Sequence, residues 1–228
     1  MLAQTATASH FPGNTLTGHS FAGRDRLGDL GRMPASFAPE QPHQVAFYEA
    51  NQEIYAQGEE AKALYQVEYG VVRLYRLLAD GRRQISAFHV AGEVFGFEAD
   101  GRHHFFAEAV CGAGIRVFRQ PAGEGTWRQT LSAALEALVR AQEHLLVIGR
   151  QNAAERVAAF LLDMRKRQGG ERQIELPMSR TDIGDYLGLT IETVSRMLSK
   201  LKSSGIIRLT NARVVEVLDE AALEALCE

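Results

Sequence analysis

The chain has 228 residues, 46% of them hydrophobic and 23% charged, with a formal net charge of −3. That is the composition of a globular protein with its own core, long enough for one large domain or two ordinary ones. No apolar run approaches the roughly 20 residues of a membrane span, and the start M-L-A-Q-T-A-T-A-S-H has neither the basic nor the apolar region of a secretory signal, so a cytoplasmic protein without membrane contact is expected.

Residues 1–42 mix Thr, Ser, Gly, Pro and Ala without a sustained period and read as a mobile lead-in, with one short helical turn over 24–31. His10, His19 and His43 lack ligand-like spacing, and no metal site is assigned to them. From 43 to 122 the texture is that of short strands, among them Leu64–Val67, Val71–Tyr75 and Gln84–Phe88. Glycine-centred turns at Gly58, Gly70, Gly81 and Gly92 separate them, the rhythm of a small sandwich, roll or barrel. Asp80-Gly81 predicts a tight two-residue hairpin. Cys111, between Val110 and Gly112, reads as a small apolar filler, and Cys227 as an exposed thiol. Two cysteines make no disulfide framework, and they cannot supply the four thiolates of an iron–sulfur cluster.

From 123 to 152 the period turns helical. Leu131, Leu138, Leu145 and Asn152 fall seven apart, and Leu135, Gln142 and Gly149 interleave with them. That is a heptad seam, and it predicts a homodimer joined through Leu131, Leu135, Leu138, Gln142 and Leu145. A second helix follows over 155–168, with Val157, Phe160, Leu161 and Met164 apolar. Its closing Arg165-Lys166-Arg167 suits the negative end of a helix dipole.

Residues 179–206 form two short helical patterns around Gly188, a helix-turn-helix. Val194, Leu198 and Leu201 bury one side of the second helix, and Thr190 caps its start. Ile206–Leu209 and Val214–Val217 flank the turn-prone Thr210–Arg213, which makes the unit a winged helix, and Asp219 caps a last short helix. The exposed side of the second helix, Ile191, Glu192, Ser195 and Arg196, stands where such units read bases in double-stranded DNA. Ser179, Arg180, Thr190, Thr193 and Lys200 are the candidate phosphate contacts. Charge agrees: residues 179–218 hold six basic and four acidic side chains, whereas 47–101 hold five basic and nine acidic. No nucleophile–base pair, metal triad or phosphate-binding glycine loop is present, so no enzyme is expected.

The stretch Y-A-Q-G-E-E-A-K-A-L-Y-Q-V-E-Y-G-V-V-R-L-Y, then D-G-R-R-Q-I-S-A-F at 80–88 and G-E-V-F-G-F-E at 92–98, resembles the cyclic-nucleotide-type β-roll of the CRP/FNR superfamily of bacterial transcription regulators. I-E-T-V-S-R at 191–196 is similar to that superfamily's recognition helix, and I-G-D-Y-L-G-L-T-I-E-T-V-S-R resembles its FixK-type branch of rhizobial nitrogen-fixation regulators. Together these matches cover about 45–218. The resemblance implies an α+β architecture: an antiparallel roll at 43–122, a long dimerisation helix at 123–152, and a winged helix-turn-helix at 153–228. It implies an activator that recruits RNA polymerase to TTGA-N6-TCAA-like sites. Ile191 stands where cyclic-AMP-responsive members carry an arginine, so thymine is expected where they prefer guanine. Gly92-Glu93 keeps the family's ribose-binding pair, but His103-His104 replaces its phosphate-binding Arg-Ser. The roll is therefore read as a scaffold without cofactor and Gly92-Glu93 as a turn. The alternative is a regulator of the same architecture gated by a cyclic nucleotide or by haem held through His89 or His104.

Overall fold

The computed structural model describes residues 45–119, 124–150 and 152–227, all of them in the unit Pro34–Glu228. The lead-in, its expected helical turn, and His10, His19 and His43 lie outside the described residues. Eight strands come first: β1 Val45–Tyr48, β2 Glu53–Tyr55, β3 Ala63–Tyr69, β4 Val72–Leu77, β5 Arg83–His89, β6 Val94–Phe95, β7 Phe106–Ala109 and β8 Ala113–Arg119. They pair antiparallel in two four-stranded sheets, β1-β8-β3-β6 and β2-β7-β4-β5. Between them Tyr55, Val67, Val72, Phe95, Ala107, Ala109, Ala113 and Ile115 form a closed apolar layer. The alanines at three of those positions let the sheets approach closely around the two large rings.

The hairpin expected at Asp80-Gly81 joins β4 and β5, but not by a two-residue turn. Leu77 pairs with Arg83, Leu78 N–H donates to Arg82 O at 2.8 Å, and Gly81 N–H donates back to Leu78 O at 2.9 Å. The Asp80 carboxylate accepts from the Arg82 amide and side chain, and this local ring sets the longer loop.

Helix α1, Glu124–Ile148, is 25 residues long. It ends before Gly149, so Gly149 and Asn152 are not in the heptad. Asn152 instead caps the next helix, its side chain accepting from the Ala154 amide. Of the expected seam, Leu131, Leu135, Leu138, Gln142 and Leu145 are all solvent-exposed, together with Val139 and Leu146. The opposite side of α1 turns His144 inward.

Helix α2, Ala153–Arg167, is followed by β9 Gln173–Glu175, α3 Arg180–Leu187, α4 Ile191–Ser203, β10 Ile207–Leu209, β11 Val214–Val217 and α5 Glu220–Ala225. The three strands make one sheet, β10-β11-β9. Val157, Leu161, Ile183, Leu187, Val194, Leu198, Ile207 and Val215 fill the space between it and the helices. That core runs on into the roll without a break. Val71, Ile85, Phe88 and Val90 belong to it, and the Tyr186 ring packs 5.1 Å from Phe88 and 5.8 Å from Phe160.

Candidate DNA-binding face

The geometry of the helix pair begins at Ser179. Its hydroxyl accepts from the Asp182 amide at 3.0 Å, and Asp182 Oδ2 accepts from the Ser179 amide at 3.0 Å, a reciprocal box that satisfies two donors at the start of α3. Gly188 ends that helix in the left-handed region at φ 65°, where a side chain on Cβ is strained. The turn is so tight that a Cβ on Gly184 would stand 2.6 Å from Leu189 O. Glycine at both positions lets α4 leave at once. Thr190 then caps it, accepting from the Thr193 amide at 3.3 Å.

α4 is strongly two-sided. Val194, Leu198 and Leu201 are buried; Ile191, Glu192, Ser195, Arg196 and Lys200 are exposed, and Thr193 is half-buried. Glu192 and Arg196 share this surface but do not pair. Among the described residues no ion pair joins them, and Arg196 Nη2 instead donates to Thr193 Oγ1 at 3.4 Å. Hydrogen bonds from its own backbone amide and from Thr190 draw the Glu192 carboxyl below its ordinary value. Both tips are exposed and neither neutralises the other, so a partner has only these weak local contacts to displace. Arg180 at the start of α3 is half-buried, and burial lowers its guanidinium from the ordinary value. The exposed Ser179 already spends its hydroxyl proton locally, donating to Asp182 Oδ2 at 2.8 Å. What the start of α3 offers an anion is therefore its first amides more than that hydroxyl. The wing tip, 210–213, stands exposed beside Arg208, which pairs with Glu216 at 2.9 Å.

Behind this face lie groups that periodicity did not reveal. Arg73 in β4 is 5% exposed, donates to Asp182 Oδ1 at 3.2 Å, and donates to Asn51 Oδ1 at 3.0 Å and Glu108 Oε1 at 2.8 Å. Arg83 in β5 binds the same Asp182 oxygen, and its Nε donates to Asp185 Oδ2 at 3.0 Å. The carboxylate that caps α3 is thus also its anchor to the roll. The one signal for it was a charged Arg73 inside the apolar run V-V-R-L-Y.

Gly92-Glu93 does form a turn, with Gly92 at φ 89° and the Glu93 amide donating to Val90 O at 3.1 Å, and Glu93 has a further role. Arg167 donates to both of its carboxylate oxygens at 3.0 and 2.8 Å, with Arg140 at 3.8 Å and His89 Nδ1 at 3.5 Å. Burial alone would raise the Glu93 carboxyl; His89, Arg167 and Arg140 outweigh it and hold the group down to about 2. Arg165 and Arg167 likewise do more than complement a dipole. Arg165 pairs with Glu220 and Arg167 with Asp163, and Arg167 also donates to Phe88 O. Cys227 is half-buried rather than open, and burial raises its thiol above the ordinary value.

A cavity of about 380 Å³ lies between the roll, α1 and α3, walled by Phe88, Phe97, Phe105, Ala137, Ala141 and Tyr186. The cations on its lining, Arg140 and Arg167, are those facing Glu93. His144 stacks on Tyr186 at 3.8 Å with both ring nitrogens unpartnered, and burial lowers it to about 4. Among the described residues no helix is long and apolar enough to cross a membrane.

A β-roll, a long helix and a winged helix-turn-helix with its second helix bared define a DNA-binding transcription regulator. Residues 45–120 match the cyclic nucleotide-binding domain and 155–226 the Crp-like helix-turn-helix domain. The chain is 54% identical over 198 residues to the nitrogen fixation regulation protein FixK of Rhizobium meliloti strain 1021, covering 87% of this chain and 92% of the relative. It is 34% identical to the fumarate and nitrate reduction regulatory protein of Salmonella typhimurium over 77% of this chain and 75% of that protein. The solved structure of FixK2 from Bradyrhizobium japonicum superposes with a TM-score of 0.78 at 40% identity, covering 82% of this chain and 98% of that one. The chain belongs to the CRP/FNR family, in its FixK-type branch. Its relatives are transcription regulators and not enzymes.

Proposed function

We propose that the protein is a homodimeric activator that binds palindromic TTGA-N6-TCAA-like sites without a bound effector, recruits RNA polymerase, and controls genes of nitrogen fixation, as the name of the Rhizobium meliloti relative indicates. The observation that carries it is the bare surface of α4, where Arg196 and Glu192 project unpaired beside an exposed Ile191. Arg196 offers its fork to guanine O6 and N7, Glu192 accepts from a cytosine amino group, Ile191 packs on a thymine methyl, and Ser195 adjusts to a neighbouring base. Arg180, Thr190, Thr193 and Lys200, with the first amides after Ser179, hold phosphates. The apolar stripe on α1 is the proposed dimer seam; two-fold symmetry sets the half-sites about one helical turn apart. The roll is taken as 43–122, the dimerisation helix as 123–152, and the DNA-binding domain as 153–228.

Independence from an effector is supported by the charges around the cavity. A cyclic phosphate needs a free guanidinium, but Arg140 and Arg167 both face Glu93, and His104 is held between Glu98 at 2.6 Å and Asp100 at 3.3 Å. The second reading, gating by a small ligand, is favoured by the volume of that cavity. Unbiased selection from random duplexes, with purified protein and no additive, decides between them. TTGA and TCAA arms are expected. Enrichment of no site until a nucleotide or haem is supplied would establish gating instead.

A further inference from the structure

The loop between β6 and β7, E-A-D-G-R-H-H over 98–104, plays no part in the DNA-binding face. One ligand atom from each of Glu98, Asp100 and His104 lies within 4.8 Å of the others. His104 Nδ1 stands 2.6 Å from Glu98 Oε2 and its Nε2 3.3 Å from Asp100 Oδ2. Carboxylates flanking an exposed histidine can form an ion pair and nothing more. A second feature separates this cluster from that case. His103 is 2% exposed, its ring stacks on Tyr55 at 3.6 Å, and its Nδ1 has no hydrogen-bond partner. That nitrogen points at the cluster, 3.5 Å from Glu98 Oε1. A buried ring nitrogen left unpaired beside a carboxylate is costly, and such an atom asks for a missing partner.

We propose that Glu98, Asp100 and His104, with His103 at the inner edge, form a site for a divalent transition-metal ion, one per chain. Two carboxylates with imidazole suit Zn²⁺, Fe²⁺ or Ni²⁺ better than Mg²⁺ or Ca²⁺, which take oxygen ligands. A single ion would take one ring nitrogen of His104 with one oxygen from each carboxylate; these atoms lie within 4.8 Å of one another, and side-chain rotation is enough to bring them to the roughly 3.4 Å spacing of ligand atoms on a tetrahedral ion with bonds of about 2.1 Å. On binding, the metal takes a ring lone pair and the carboxylates' charge; any proton displaced from His104 passes to solvent. The backbone is already formed for this. Asp100 Oδ1 accepts from the Arg102 amide at 3.2 Å and Glu98 Oε1 from the His104 amide at 3.0 Å, so the loop holds its carboxylates before any ion arrives. Glu98 also borders the cavity shared with Leu131 and Ala134 of α1, which puts the ion next to the long helix.

The test uses the full chain, stripped with a chelator and titrated with Zn²⁺ in competition with an indicator, then with Co²⁺ by absorbance. One ion per chain should bind, shifting the imidazole proton resonances of His103 and His104, and the Co²⁺ spectrum should lack a thiolate charge-transfer band. Asp100→Asn and His104→Gln, both at exposed side chains, should each weaken Zn²⁺ by about tenfold or more while leaving the melting temperature unchanged. Equal affinity in wild type and both variants would place any bound metal elsewhere, and no binding at micromolar Zn²⁺ would leave the cluster as an ion pair only. Either result overturns the proposal.

Discussion

At the scale of the residue, α4 was legible because amphipathic spacing alone separates its buried Val194, Leu198 and Leu201 from its exposed side. Spacing could not show whether Glu192 and Arg196 neutralise each other, since that depends on rotamers and on Thr190 and Thr193 competing for them. Because they remain unpaired, Arg196→Ala should cost roughly 1–3 kcal/mol per half-site and flatten preference at the guanine. Ile191→Arg should draw guanine into the outer thymine position, and an unchanged selected site would show that Ile191 does not face the bases. His144 was invisible in the sequence as anything but a heptad neighbour. In the structure it is 8% exposed, with Arg140 and Glu143 nearby on its own helix and Asp163, Lys166, Arg167 and Tyr186 across the adjoining cleft. Its folded value of about 4 lies below the ordinary 6.5. Between those limits the unfolded chain binds a proton that the folded chain refuses, so stability falls as pH falls from about 6.5 to 4. The loss is at most about 1.4 kcal/mol per pH unit, less whatever solvent at the ring's open edge screens. Melting temperatures of His144→Phe should therefore vary less steeply than wild type over that window. Parallel curves would mean His144 titrates normally.

At the scale of the element, strands and helices were found largely where periodicity placed them, and the misses are local. The β4–β5 connection lengthened because Asp80 folds back on Arg82, a contact between side chain and backbone that turn dipeptides do not encode. The heptad repeat, carried to Gly149 and Asn152, overran the end of α1 because Asn152 satisfies a heptad position and a cap equally well. What remains in α1 is a row of exposed leucines, 47–68% accessible at Leu131, Leu135, Leu138 and Leu145, set along one side of a single helix with Val139 and Leu146 beside them. Covered by a second copy, that row would be withdrawn from water at about 25 cal/mol for each Å² of apolar surface. Leu138→Glu with Leu145→Glu should leave a monomer in sedimentation at micromolar concentration, with melting little changed. A dimer surviving both charges would put the interface on another surface.

At the scale of the molecule, the sequence showed the two halves separately but not how they are joined. Asp182 and Arg73 are 109 positions apart, and nothing in either local pattern links them. The joint rests on Asp182 serving Arg73, Arg83 and the Ser179 cap at once, with Glu93 and Arg167 as a second, independent fastening. Asp182→Asn keeps the size of the side chain but leaves Arg73 and Arg83 short of a countercharge. A loss of roughly 3 kcal/mol is expected in urea unfolding, the scale for breaking a buried ion pair. A change below about 0.5 kcal/mol, the size of an ordinary surface substitution, would mean Glu108 and Asp185 suffice for the two arginines. The shared carboxylate also bears on modularity. A winged helix cut from this chain and grafted beneath another sensor would carry its own cap along, yet its α3 would arrive with Asp182 and without the Arg73 and Arg83 that receive it. Chimeras of such regulators should work only when the donor's β4 and β5 travel with the graft, so that the heritable unit is wider than the domain boundary.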